Sequence, residues 1–416
     1  VGLPALRSGH PRRARTLAYN GAVRIWLMSP TPSARLAAAL LGYVALVIAL
    51  VTLSPFIFAR PEAYALSWHV LPDDVAVNVA LFLPIGFLFR LTRGRRRTAV
   101  LLGAGLSVGV EAAQLFIPVR TASGVDVIGN TLGTALGVGL YDALAARLAV
   151  TPRLVGRLAL EAPLMGLLYL LVPLLWVNTL TPGAASGRWV LTACLGACGA
   201  GLLSEFIRQW WGPPTPALSA RTAAAAAGWF LVGAAPSLAH PPVSLALTAG
   251  VAVLTSLLAA LPLRSADRRF ERPTLRRILP IFLVYLLVSA LWPPFQPVGA
   301  WHGTLALTDR LQDESLGALL PLLEYLAAFT WLGYLSAEWR GRSELSLGRD
   351  LPRLLLIAAA SALGLEGLAG FQIDRGASFA RAVVVVAAAL LGGSLYHLQR
   401  TQVRALLGRP PGQRPD

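Results

Sequence analysis

The sequence predicts an all-α fold: a polytopic transmembrane helical bundle of about 12 spans with a parallel internal repeat. Three observations predict it. The 416-residue chain is 56% hydrophobic and only 13% charged, with a mean hydropathy of +0.63, far above that of an ordinary soluble domain. Many of its apolar runs reach the roughly 20 residues a helix needs to cross a bilayer. Its basic residues, every one of them Arg, gather in alternate loops, as the positive-inside rule requires of a chain threaded back and forth through a membrane.

The spans follow in order. The first covers 35–53 and ends in T-L-S-P-F. The second, 74–91, leads into R-L-T-R-G-R-R-R, with five Arg. The third covers 98–117 and the fourth 126–147, followed by Arg147, Arg153 and Arg157. The fifth to eighth are read at 158–178, 189–207, 222–238 and 243–262, the last leading into a segment with six Arg. The ninth to twelfth are read at 278–292, 316–336, 353–371 and 379–397. Arg clusters fall before span one and after spans two, four, eight, ten and twelve. That pattern puts both termini in the cytoplasm.

The domains implied are a disordered Arg-rich leader at 1–34, a four-helix membrane unit at 35–150, a middle four-helix unit at 151–265, a degenerate second copy of the first unit at 266–400, and a disordered Arg- and Pro-rich tail at 401–416. Met28, opening M-S-P-T-P-S-A-R directly before span one, is read as the start of the protein. The net charge is +16. A nucleic-acid partner would need those Arg on one soluble face, and they lie in short loops instead. Cys194 and Cys198, inside an apolar span, lack the companions of a disulfide framework or a metal site and read as small packing residues. No H-E-x-x-H or G-x-S-x-G is found, so no catalytic residue, metal or cofactor is assigned.

Polar residues at helical spacing stand in the second, third and fourth spans: Asp74 with Asn78, Glu111 with Gln114, Asp126 with Asn130. In hydrocarbon such groups are expensive and should face one another or a wet cavity. The topology brings all of them to the outer leaflet, where Arg120 and Ser123 join them from the loop before span four. Arg120 is the expected partner of Glu111, because its planar fork can hold a carboxylate or a phosphate. These eight residues form a candidate ligand-binding cluster. The competing reading is a clamp holding three helices together. Gly129, Gly133 and Gly137 put small residues at every fourth position of span four and allow a neighbouring helix to approach closely. His69 and His302 read as solvated residues of equivalent outer loops.

A shift of 255 residues overlays 111–141 on 366–396 without a gap. It matches Glu111 with Glu366, Phe116 with Phe371, Arg120 with Arg375, Ser123 with Ser378, Gly137 with Gly392 and Tyr141 with Tyr396. L-S-P-F at 53–56 resembles W-P-P-F at 292–295. Gln114, Asp126 and Asn130 become Ala369, Arg381 and Val385. Glu366 with Arg375 therefore reads as a retained structural pair, and Gln114, Asp126 and Asn130 read as what the first copy uses for itself.

The order T-L-S-P-F, D-x-x-x-N-x-x-L-F-x-P-x-G-F, E-x-x-Q-x-F and R-x-x-S-x-x-D-x-x-x-N-x-x-G, over about residues 40–145, resembles the VanZ-like family of bacterial membrane proteins. Residues 275–397 look like a second copy without the Asp and Asn of the last motif. The family's namesake is associated with low-level resistance to the glycopeptide teicoplanin, so the resemblance implies a role in the cell envelope. Together these readings point to a non-enzymatic membrane protein. Its expected partners are membrane lipids and, by the resemblance, an envelope precursor or a glycopeptide. The alternatives are a transporter, suited by a parallel repeat, and a membrane-embedded acid–base enzyme using Glu111 and Asp126.

Overall fold

The computed structural model describes residues 32–53, 58–60, 66–70, 72–92, 94–118, 120–147, 152–180, 188–211, 215–239, 242–261, 271–291, 300–304, 316–341, 345–372 and 376–407. Met28, Arg375 and the segment 1–31 lie outside them. The described residues hold twelve α-helices: α1 (Pro32–Leu53), α2 (Pro72–Leu91), α3 (Arg96–Gln114), α4 (Gly124–Arg147), α5 (Pro152–Leu180), α6 (Trp189–Trp211), α7 (Pro216–Gly233), α8 (Pro242–Ala260), α9 (Glu271–Ala290), α10 (Leu316–Glu338), α11 (Leu347–Ala369) and α12 (Phe379–Leu407). A 3-10 turn (Ala235–Ala239) follows α7. Two-residue strands β1 (Gly303–Thr304) and β2 (Ala377–Ser378) pair in parallel, Gly303 opposite Ala377.

The protein is an all-α, multi-pass membrane bundle. Among the described residues, six stretches are long and apolar enough to cross a membrane: Asp74–Leu91, Pro163–Leu180, Trp189–Arg208, Arg272–Ala290, Leu347–Ala369 and Phe379–Arg404. Helix α4 shows how the faces divide. Ile128, Leu132, Leu136, Leu140 and Leu144 form an exposed stripe, while Gly133, Thr134, Gly137 and Val138 are buried behind it. An apolar stripe turned outward is stable only against lipid or another apolar surface.

Several helix ends depart from the sequence reading. Helix α1 already begins at Pro32, inside the segment expected to be disordered, with proline at the helix start where its missing N–H costs nothing. Helix α7 begins at Pro216 rather than 222, because Thr215 accepts the Leu218 N–H at 3.2 Å as an N-cap. Helix α12 runs on to Leu407, so the expected disordered tail is corrected over 401–407. Just before that stretch, and past the expected span end at 397, the Gln399 Oε1 accepts from the Tyr334 hydroxyl at 2.5 Å and ties the helix to α10.

The largest apolar core lies among α5, α6, α9, α10 and α12, where Leu171, Leu174, Phe282, Phe329 and Trp331 are fully or nearly fully buried. Phe282 and Trp331 meet at 4.0 Å between ring centroids, and the Trp331 indole N–H reaches the Leu167 carbonyl at 3.0 Å. The middle helices α5 and α6 therefore pack into the same core as the C-terminal four. Helix α12 packs against α10 and α11, and also against α5 and α1. Cys194 and Cys198 are free thiols in this packing, the latter fully buried.

Candidate functional site

The site begins with the closest helix pair of the N-terminal unit, α2 against α4. A side chain at Gly133 or Gly137 would collide with the backbone carbonyl of Val79 or Leu83. The two helices touch along their backbones because those positions carry only hydrogen. This contact lays Asp74 and Asn78 of α2 alongside Asp126 and Asn130 of α4. Helix α3 closes the third side with the buried face Ser107, Val110, Glu111 and Gln114.

The loop between α3 and α4 is held by Ser67, which donates its N–H to the Ala122 carbonyl at 2.8 Å and accepts that of Gly124 at 3.0 Å. Ser123 then caps α4, its hydroxyl accepting the Asp126 N–H at 3.3 Å. In a capping box the third residue of the helix would take the cap's own N–H. Here that N–H goes to Glu111 instead, at 2.7 Å, and Glu111 is only 5% exposed. The Asp126 carboxylate, left without that local role, accepts from the side chains of Ser123 and Asn78 and stands within electrostatic reach of Glu111 and Asp74. One turn deeper, Asn130 is 3% exposed and donates to the Ser107 hydroxyl at 2.9 Å. Its Oδ1 has no hydrogen-bond partner among the described residues.

Two expectations change. Glu111 is met by the Ser123 N–H and not by Arg120. The Arg120 guanidinium sits half-buried in the loop, and burial pulls it below its ordinary pKa. Gln114 spends its amide on the Thr52 carbonyl at 2.9 Å, tying α3 to the end of α1. Asp74, Asn78, Glu111, Ser123, Asp126 and Asn130 do come together at one end of the three helices. His69 and His302 are exposed, as read from the sequence.

The same contacts recur in α9–α12. Ser378 donates its N–H to Glu366 at 2.7 Å and accepts that of residue 381 at 3.4 Å. Gly392 lies against the Thr330 carbonyl as Gly137 lies against that of Leu83. Phe87 meets Tyr141 edge-on at 5.6 Å, and Tyr334 meets Tyr396 edge-on at 5.5 Å. Gln372 donates to the Leu291 carbonyl at 3.1 Å, at the start of the W-P-P-F motif, as Gln114 does at the start of L-S-P-F. The difference is Arg381, which stands where Asp126 stands in the first unit. It is fully buried and gives Glu366 a forked ion pair, Nε to Oε1 at 3.0 Å and Nη2 to Oε2 at 2.7 Å. Its Nη2 also reaches the carbonyl of Gly376, a residue at φ 56° where glycine is favoured. The described partner of Glu366 is thus Arg381; the sequence reading named Arg375, which lies outside the described residues.

Sequence reasoning also missed a second buried polar group. Glu324 of α10 receives Arg188 at 2.5 Å and the hydroxyls of Tyr285 and Ser289, both at 2.7 Å. Asn178 of α5 bridges Tyr285 and Arg188. The signal was present: a carboxylate inside the apolar run L-P-L-L-E-Y-L-A-A-F demands a partner.

Residues 22–148 match the family model described as VanZ/LLP1. This segment is VanZ-like. The match takes in all of α1–α4 and with them every residue of the cluster around Glu111. Comparison with curated proteins and with solved structures gives no match. In the VanZ-like unit two carboxylates, a capped helix start and an amide thus converge at one helix end, able to hold a polar ligand through several hydrogen bonds. No group of three or more His, Cys, Asp or Glu suited to a metal ion occurs among the described residues.

Proposed function

We propose that the VanZ-like unit is the ligand-binding module of a bacterial envelope protein in the cytoplasmic membrane. In this reading the cluster around Glu111 opens toward the outer leaflet and both termini are cytoplasmic. Helices α9–α12 are a degenerate second copy that no longer binds. The ligand is an envelope lipid headgroup, or a glycopeptide presenting an equivalent group. One observation carries the reading: Glu111, Asp126, Asn78 and Asn130 come from three helices to one end of the bundle, directly beside the outward apolar stripe of α4. An amphipathic ligand anchored along that stripe would bring its headgroup to the cluster.

The test is lipid retention by the purified full chain, read by native mass spectrometry from nanodiscs of total bacterial lipid. The Asp126→Ala, Asn130→Ala double variant is expected to lose a lipid that the wild type keeps, while it still expresses and melts cooperatively. Equal retention by a well-folded double variant would overturn the reading. Orientation is checked separately by labelling single cysteines at positions 95 and 310, of which 310 alone should react from outside.

A further inference from the structure

We infer that Glu111 and Asp126 form a seat for an ammonium group, so that the ligand of the proposed headgroup site is an amine; this rests on that reading for the site but not for its sign. In the C-terminal half, Glu366 holds a guanidinium supplied by the chain itself, and that guanidinium also reaches the Gly376 carbonyl. In the VanZ-like unit, Glu111 makes the same 2.7 Å bond to the capping serine. The position that would supply the cation is an aspartate. Among the described residues, Glu111, Asp126 and Asp74 form no ion pair, although three carboxylates share one helix end.

The layer below points the same way. Asn130 and Ser107 become Val385 and Ala362 in the C-terminal half, both buried and apolar. The layer below is polar where the seat has no cation of its own, and among the described residues the buried Asn130 Oδ1 has no donor. The groups left over are all acceptors, two carboxylates without a cation among the described residues and an amide oxygen without a hydrogen bond there, and a primary ammonium offers three N–H donors with one positive charge. A phosphate would bring the wrong sign and no donors to this face. Access differs as well: Arg381 is fully buried, whereas Asp126 is half-buried and Asp74 exposed. The C-terminal seat is shut by its own side chain, and the N-terminal one is open.

The experiment uses the full chain with two probes. Ethylammonium chloride is titrated against a sodium chloride control while the melting temperature is followed. Nanodiscs of phosphatidylethanolamine or of phosphatidylglycerol are compared for retained lipid. The wild type should keep phosphatidylethanolamine about tenfold better than phosphatidylglycerol, a difference of about 1.4 kcal/mol, and Asp126→Asn should remove the preference. Asp126→Arg, which copies the C-terminal half, should melt no lower than wild type and keep neither the amine lipid nor the ethylammonium response. Selective retention of phosphatidylglycerol, or amine retention undiminished in Asp126→Arg, would overturn the ammonium assignment while leaving a headgroup site standing. An ethylammonium response without lipid retention would support the seat and move the ligand to a free amine. Neither response nor retention would overturn site and seat together.

Discussion

Glu111 and Glu366 accept the same bond from the serine that caps the next helix, at 2.7 Å in both cases, yet the two regions around them balance charge in opposite ways. In the C-terminal half Glu366 is answered by Arg381, and Glu324 by Arg188 from the segment before α6. The VanZ-like unit sets a second acid, Asp126, beside the first. Arg at the third position of a helix is disfavoured by the positive end of the helix dipole, and Asp there is favoured. Arg381 is therefore held in place by Glu366 rather than by its helix, while Asp126 is content with its helix and adds its charge to the site. One arrangement spends its polar groups on closure; the other leaves them available.

Stability should divide along the same line. Arg381→Met leaves Glu366 buried without its cation and is expected to cost about 3–5 kcal/mol in a detergent melt. Asp126→Ala, at the matching position, should cost only about 1 kcal/mol, the scale of a lost cap interaction. Equal losses would erase the distinction between the halves. Widening the close helix pair should instead hurt both halves alike. Gly137→Leu and Gly392→Leu each force a side chain into a facing carbonyl, with an expected loss of roughly 1–3 kcal/mol. A large difference between these two melts would mean that the pairs are not built alike. Smaller again, Gln114→Ala should lose about 1 kcal/mol through its bond to Thr52, with binding of phosphatidylethanolamine unchanged. A loss of binding would return Gln114 to the ligand side of the comparison. Smallest, Phe87→Leu should cost about 0.5–1.5 kcal/mol from its edge-on contact with Tyr141.

What could be read from the sequence were features that act locally. Twelve apolar runs matched twelve helices because span length and Arg-bearing loops are properties of the segment itself. The small-residue spacing of Gly133 and Gly137 announced a close helix pair because a period of four is a face. Partnerships across the bundle were harder. Arg120 was expected to hold Glu111 with its planar fork, but the loop turns Ser123 inward and offers a backbone N–H instead. Asp126 giving way to Arg381 read as the loss of a function, whereas in three dimensions it is the gain of an ion pair. Glu324 and Arg188 are 136 residues apart, and no local pattern joins them. Helix ends moved by several residues where a cap such as Thr215, or a tertiary bond such as that of Gln399, outweighed hydropathy.

The reach of α12 has a consequence for how the protein is made. Its neighbours include α1 and α5, which are synthesised hundreds of residues earlier. Until α12 has been made, those two helices lack a neighbour that covers them in the finished bundle. The bundle around α1 and α5 is therefore completed only once α12 has been made, and a chain stopped before residue 379 would leave both helices without that neighbour.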